Sequence, residues 1–110
     1  VRVMVSGEGF GVKLALTVIG VFTSTLTQIA FHYAVHVLGV NYVYRVGIHA
    51  LNIIMALAAS RLIPTWSLGY MISWAIGGSV AATVGLMDQI EVALYVIVVI
   101  ILVYRMLRGG

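Results

Sequence analysis

The 110-residue chain has no cysteine, a single proline and very little charge. Without cysteine, disulfides and thiolate metal sites are excluded. Asp, Glu, Lys and Arg make up 8% of the residues, against roughly 25% in an ordinary soluble domain. The six basic residues are scattered, so the basic stripe that marks a nucleic-acid reader is missing. No nucleophile elbow, phosphate-binding loop or paired acid and base is present, and the Ser and Thr hydroxyls stand in apolar runs without a partnered base. No enzymatic chemistry is expected.

What fills the chain instead is apolar. Hydrophobic residues make up 63% and the mean hydropathy is +1.16, a composition that belongs in lipid or a lipid-like assembly. Residues 14–44 and 65–87 contain no Asp, Glu, Lys or Arg, and each run is long enough to cross a bilayer core as a helix. The expected fold is all-α, with three to four hydrophobic membrane-type helices forming a hairpin-like subunit. A single domain covers 1–110, with a polar lead-in over 1–11 and helices over about 12–38, 46–63, 65–87 and 91–107.

Local chemistry sets those boundaries. Gly39 and Asn41 are stop signals for the first helix, and Tyr42, Tyr44 and Arg45 suit the headgroup level. Pro64 pushes the residue before it out of helical geometry, so Ser60–Thr65 reads as a turn with Thr65 as the next N-cap. The acidic cluster Asp88-Gln89-Ile90-Glu91 either interrupts the last helix or is run through by it. Four spans would gather the N-terminal end, Arg61, Arg105 and Arg108 on one side, in keeping with the positive-inside rule.

The run over 65–87 has a second pattern. Gly69, Ser73, Gly77, Ala81 and Gly85 recur every fourth residue, with Gly78 and Ala82 beside them. Positions four apart share a helix face, and a ridge of small side chains lets another helix approach closely. The partner is either another helix of the same chain or a second copy. In the first run, Thr23, Ser24, Thr25, Thr27 and Gln28 form a polar patch, which is expected to face protein or water rather than acyl chains.

Two clusters are candidates for chemistry. His32 and His36 stand four apart with His49 further on. They suit either a Zn, copper or haem site or hydrogen bonds between helices and to headgroups. HYAVH lacks the glutamate of a metalloprotease helix, and no neighbouring acid is expected to orient the imidazoles. Asp88 and Glu91 suit an intramembrane carboxylate for proton or cation coupling, pairing with an arginine of a neighbouring chain, or plain solvation.

The stretch SRLIPTWSLGYMISWAIGG resembles the second helix of conjugative pilins of type IV secretion systems, most like the archaeal pilins of Ced DNA import. The shared features are the basic turn at Arg61, the step Ser67-Leu68-Gly69 and the pair Gly77-Gly78. The resemblance implies a structural subunit that waits in the membrane and then assembles with bound membrane lipid into an extracellular helical homopolymer. No other cofactor is implied. Arg61 and Trp66 would lie at the lumen, near lipid headgroups. DNA would pass through the lumen without sequence-specific contacts, and membrane-bound secretion or import machinery would be a partner. The chain departs from the two-helix pilin pattern by an additional apolar segment and by Asp88–Glu91. The alternative expectation is a small multi-span channel or transporter acting as a homo-oligomer.

Overall fold

The computed structural model describes residues 9–109, and most of the 1–11 lead-in, with Arg2 and Glu8, lies outside the described residues. Four helices follow one another: α1 (Phe10–His36), α2 (Tyr42–Ala59), α3 (Pro64–Thr83) and α4 (Gln89–Leu107). The fold is all-α. The bundle measures 44 × 22 × 21 Å, so its long axis matches the roughly 40–45 Å of a bilayer with its headgroups. Three helices, α1, α2 and α4, are long and apolar enough to cross a membrane.

The boundaries are set by caps. α1 stops at His36, two residues earlier than expected, and Gly39 at φ +83° turns the chain. Asn41 starts α2, its side chain accepting the Tyr44 N–H at 3.2 Å. The tyrosines and Arg45 expected ahead of the helix therefore form its first turn. α3 begins at Pro64 itself, with Ile63 before it and no side-chain cap, so Thr65 is not the N-cap. A proline needs no donor in the first turn and its fixed φ suits it there.

α3 also ends four residues early, at Thr83. Gly85 takes φ +81°, and the Leu86 and Gly85 N–H groups return to the carbonyls of Ala81 and Ala82 at 2.8 and 3.2 Å. This pair of bonds is a Schellman cap, which favours glycine in the left-handed position. Asp88 then opens α4. It accepts the Glu91 N–H at 2.8 Å while Glu91 accepts the Asp88 N–H at 2.9 Å, a reciprocal capping box. The acidic cluster therefore starts a helix and interrupts the apolar run.

Cross-helix contacts fix the topology. Thr17 lies against Gly69, Gln28 against Ser73, and His36 against Leu86, so α1 and α3 run parallel. Arg45 meets Glu91 and Asn52 meets Tyr95, so α2 and α4 run parallel to each other. The bundle is up-down-up-down, which places Lys13, Arg61, Arg105 and Arg108 at one end and Asp88 with Arg45 at the other.

α3 is the interior element. It carries eight buried residues, where α1 and α4 carry four each and α2 two. Although uncharged and 20 residues long, it is not among the helices of spanning hydropathy. Its glycines, serines and aromatic residues suit protein neighbours instead. The outward faces belong to the other three: Val18, Phe22, Leu26 and Ile29 of α1, Leu51 and Ile54 of α2, and Ile97, Ile100 and Ile101 of α4 are all exposed.

The small residues of α3 are used within the chain. A Cβ at Gly69 would come within 2.8 Å of the Thr17 carbonyl oxygen, and one at Gly20 within 3.0 Å of the Tyr70 nitrogen. Ser73 and Gly77 meet Gln28. These positions pack on α1. Gly78 faces Met87 and Val92, and Ala81 is buried in the core. Gly85 is a correction: it lies beyond the helix, with open space around it, and serves the turn rather than the seam.

Substitutions along the seam should separate backbone from side-chain contacts. Gly69→Ala is expected to destabilise by about 1–3 kcal/mol, because the Thr17 backbone cannot move aside. Gly78→Ala meets only the flexible end of Met87 at 3.3 Å and gains helix propensity, so it should be neutral or stabilising. Thermal unfolding of the two variants in detergent checks the difference.

Candidate functional site

The charged and polar groups of α2 and α4 meet inside the bundle. Arg45, His49 and Asn52 occupy one face of α2, and Glu91 and Tyr95 one face of α4, because residues three and four apart stack on a helix. Glu91 and His49 are almost wholly buried, at 1% and 0% exposure. The carboxylate takes four hydrogen bonds. Arg45 donates through Nη2 to Oε1 at 2.5 Å and through Nε to Oε2 at 3.2 Å. The Asp88 N–H donates to Oε1, and His49 Nε2 lies 2.6 Å from Oε2.

From His49 the bonds continue inward. Nδ1 lies 2.6 Å from the Tyr95 hydroxyl, which also accepts from Asn52 Nδ2 at 3.1 Å. The Tyr70 hydroxyl reaches Asn52 Oδ1 at 2.6 Å and Thr27 Oγ1 at 3.0 Å, and Thr27 accepts the Trp74 indole N–H at 3.0 Å. One assignment of protons serves the links from Glu91 as far as Tyr70. His49 donates from Nε2 to the carboxylate, Tyr95 donates to Nδ1, Asn52 donates to Tyr95, and Tyr70 donates to Asn52. Thr27 gives its own proton to the Ser24 carbonyl 2.9 Å away, so with the Tyr70 proton on Asn52 the run ends at Tyr70. Beside it, Gln28 bonds Ser24 Oγ and Ser73 at 3.0–3.2 Å.

Aromatic rings enclose the imidazole. Phe31 lies 4.6 Å from His49 between ring centroids, Tyr95 5.2 Å and Trp74 5.9 Å, and Trp74 stacks on Tyr95 at 4.8 Å. The Arg45 guanidinium sits 5.6 Å from the Tyr42 ring centroid and 6.0 Å from that of Phe31. This packing removes water from the pair, which strengthens its electrostatics and raises the cost of losing either partner.

Several expectations are revised here. Glu91 pairs with Arg45 of its own chain rather than with a neighbour's arginine or solvent. An acid does orient a histidine: Glu91 holds His49, although 42 residues separate them. The histidines do not form one cluster. His32 and His36 stack at 5.7 Å, His36 Nε2 contacts the Leu86 carbonyl at 2.9 Å, and His49 has both ring nitrogens engaged. Among the described residues, no group of three potential metal ligands forms. The Thr23–Gln28 patch divides: Thr23 and Thr25 bond their own helix, Ser24 and Gln28 face the interior, and Thr27, though exposed, accepts from Trp74. Arg61 is exposed at the opposite end, and Trp66 is half-buried against Tyr70 with ring centroids 4.9 Å apart.

Asn52, Tyr70, Trp74 and Tyr95 are site residues that composition and motifs passed over. Their signal lay in spacing: Arg45, His49 and Asn52, and likewise Glu91 and Tyr95, fall on single faces of otherwise apolar helices. Comparison with family models, characterised proteins and solved structures returns no match.

Breaking the ion pair from one side should cost more than removing it. Glu91→Leu alone leaves the half-buried Arg45 without its carboxylate and the buried His49 without an acceptor, and is expected to destabilise by about 3 kcal/mol, whereas Arg45→Met with Glu91→Leu should recover part of that loss. Unfolding of both variants in detergent checks the order.

Asp88 gives a pH signature. The Glu91 N–H that it accepts holds its carboxyl below the usual carboxylate range, against a partial desolvation, with the Tyr42 hydroxyl adding to the lowering. A carboxyl lowered on folding stabilises the fold above its unfolded pKa, and the benefit disappears as pH falls through the folded value. Asp88→Ala should therefore cost about 1 kcal/mol at neutral pH, as the loss of an N-cap does. The difference from the wild type should vanish in acid below the ordinary aspartate range, which pH-dependent melting would show.

Proposed function

We propose that the protein is a small multi-span membrane protein of the channel or transporter class, working as a homo-oligomer, with Glu91 and His49 as its proton-holding pair. One observation carries this reading: a carboxylate and an imidazole lie buried between helices of membrane-spanning length, with a half-buried guanidinium on the carboxylate. Buried ionisable groups in a membrane-type bundle are costly and as a rule belong to a function. The chemistry available is proton exchange between carboxylate, imidazole and phenol, all within 2.6 Å of the next. In one chain the hydrogen-bonded run stops at Tyr70, short of the Lys13 end. A complete path therefore calls for a second subunit, and the exposed apolar faces of α1, α2 and α4 leave room for one.

A second reading keeps the chain as a conjugation-type pilin that assembles with lipid into an extracellular filament for DNA transfer. Its support is the resemblance around Arg61 and Gly77-Gly78, the exposure of Arg61 in the tight turn before α3, and the apolar outer faces that lipid would cover. Against it, the small-residue seam on which a second chain would dock is filled by α1.

Proton flux into liposomes containing the purified protein, read with an internal pH dye under an imposed potential, decides between them. Flux above that of empty liposomes is expected, with a fall of about tenfold or more in Tyr95→Phe, which keeps the ring and removes the hydroxyl. Flux equal to empty liposomes, together with filaments of this chain sheared from cells, would replace the first reading with the second.

A further inference from the structure

α1 and α2 are neighbours in sequence, yet their backbones do not pack along their lengths, and the main backbone contacts of α1 are with α3. Between them lies a cleft of about 420 Å³, lined by Ala30, Phe31 and Ala34 of α1, Leu51 and Asn52 of α2, and Trp74 of α3 at its floor. Thr27 also reaches it. The cleft lies between two helices of spanning length, so a ligand would enter it from the lipid rather than from water.

We propose that this cleft binds a neutral, lipid-soluble carbonyl compound of the quinone class, with Asn52 donating to the carbonyl and Trp74 beneath the ring. Chemistry and depth support that choice. The walls are apolar apart from Thr27 and Asn52, so the ligand is a largely hydrocarbon body that presents a carbonyl acceptor to Asn52. Asn52 uses one of its two amide protons on Tyr95 while its oxygen accepts from Tyr70, so the remaining proton calls for an acceptor rather than a donor. Asn52 stands near the middle of α2 and Trp74 near the middle of α3. Asn52 lies ten residues from one end of α2 and seven from the other, so about 10 Å of helix separates it from the nearer end. A phospholipid ester carbonyl, anchored at the headgroup, does not reach that depth of a roughly 30 Å hydrocarbon core, whereas an uncharged ring carbonyl dissolved in the core does. The proposal stands apart from the proton-flux reading, since it needs only the cleft and its polar floor.

Trp74 supplies the measurement. The chain has two tryptophans, so Trp66→Phe leaves Trp74 as the only reporter. This variant, folded in detergent, is titrated with decyl-benzoquinone, which quenches indole fluorescence, and with decylbenzene as the carbonyl-free competitor. Saturable quenching is expected, with little competition from decylbenzene. Adding Ala30→Leu and Ala34→Leu fills the cleft from the α1 side and should abolish saturation while the melting temperature holds. Asn52→Leu should weaken binding about tenfold, the worth of one hydrogen bond. Quenching that never saturates, that persists in the filled cleft, or that decylbenzene displaces as well as a quinone does would overturn the proposal.

Discussion

Glu91 is the group on which the interior depends. A bare carboxylate in an apolar bundle is prohibitively costly, and this one is made tolerable by four donors from two separate parts of the chain. Two of them come from Arg45 and one from His49, so the pairing of α2 with α4 is fixed in register by charge rather than by apolar fit. The fourth comes from the backbone of Asp88, which makes the same side chain part of the cap that starts α4. A local helix signal and a long-range ion pair thus share one residue. Movement of either would be felt by the other.

α3 solves a different problem. Helices in lipid gain little from hydrophobic burial against one another, and their association rests on close packing and hydrogen bonds. Glycine and serine on α3 let α1 come near enough for backbone-to-backbone contact at Gly69 and Gly20. The aromatic residues on its other faces, Tyr70 and Trp74, reach toward the polar run and close it off with Tyr95. The helix with the weakest claim to face lipid therefore occupies the centre, and the three most apolar helices surround it. The splay of α1 from α2 follows, because α1 is held by α3 and α2 is held at its polar face by α4.

These two devices bear on function together. The seam directs small residues inward, so the outer surface available to other chains is bulky and apolar rather than grooved at Gly69 and Gly77. The polar run begins near the acidic end of the bundle and stops inside it. A structure whose only task was to present an apolar exterior would have no need to bury an ion pair and an imidazole.

By itself the sequence determined the class of fold. The near absence of charge and the long uncharged runs require helices of membrane type, because backbone groups in lipid must bond within their own segment. Pro64, Gly39 and the Asp88–Glu91 cluster marked the three connections to within a few residues, since caps and breakers act locally. The tertiary structure alone decided which helix is interior, that the small-residue ridge is filled from within the chain, and that Glu91 meets His49 and Arg45. Those outcomes depend on contacts between residues more than 40 positions apart, and a helix face shows what it can pack against without showing which neighbour arrives.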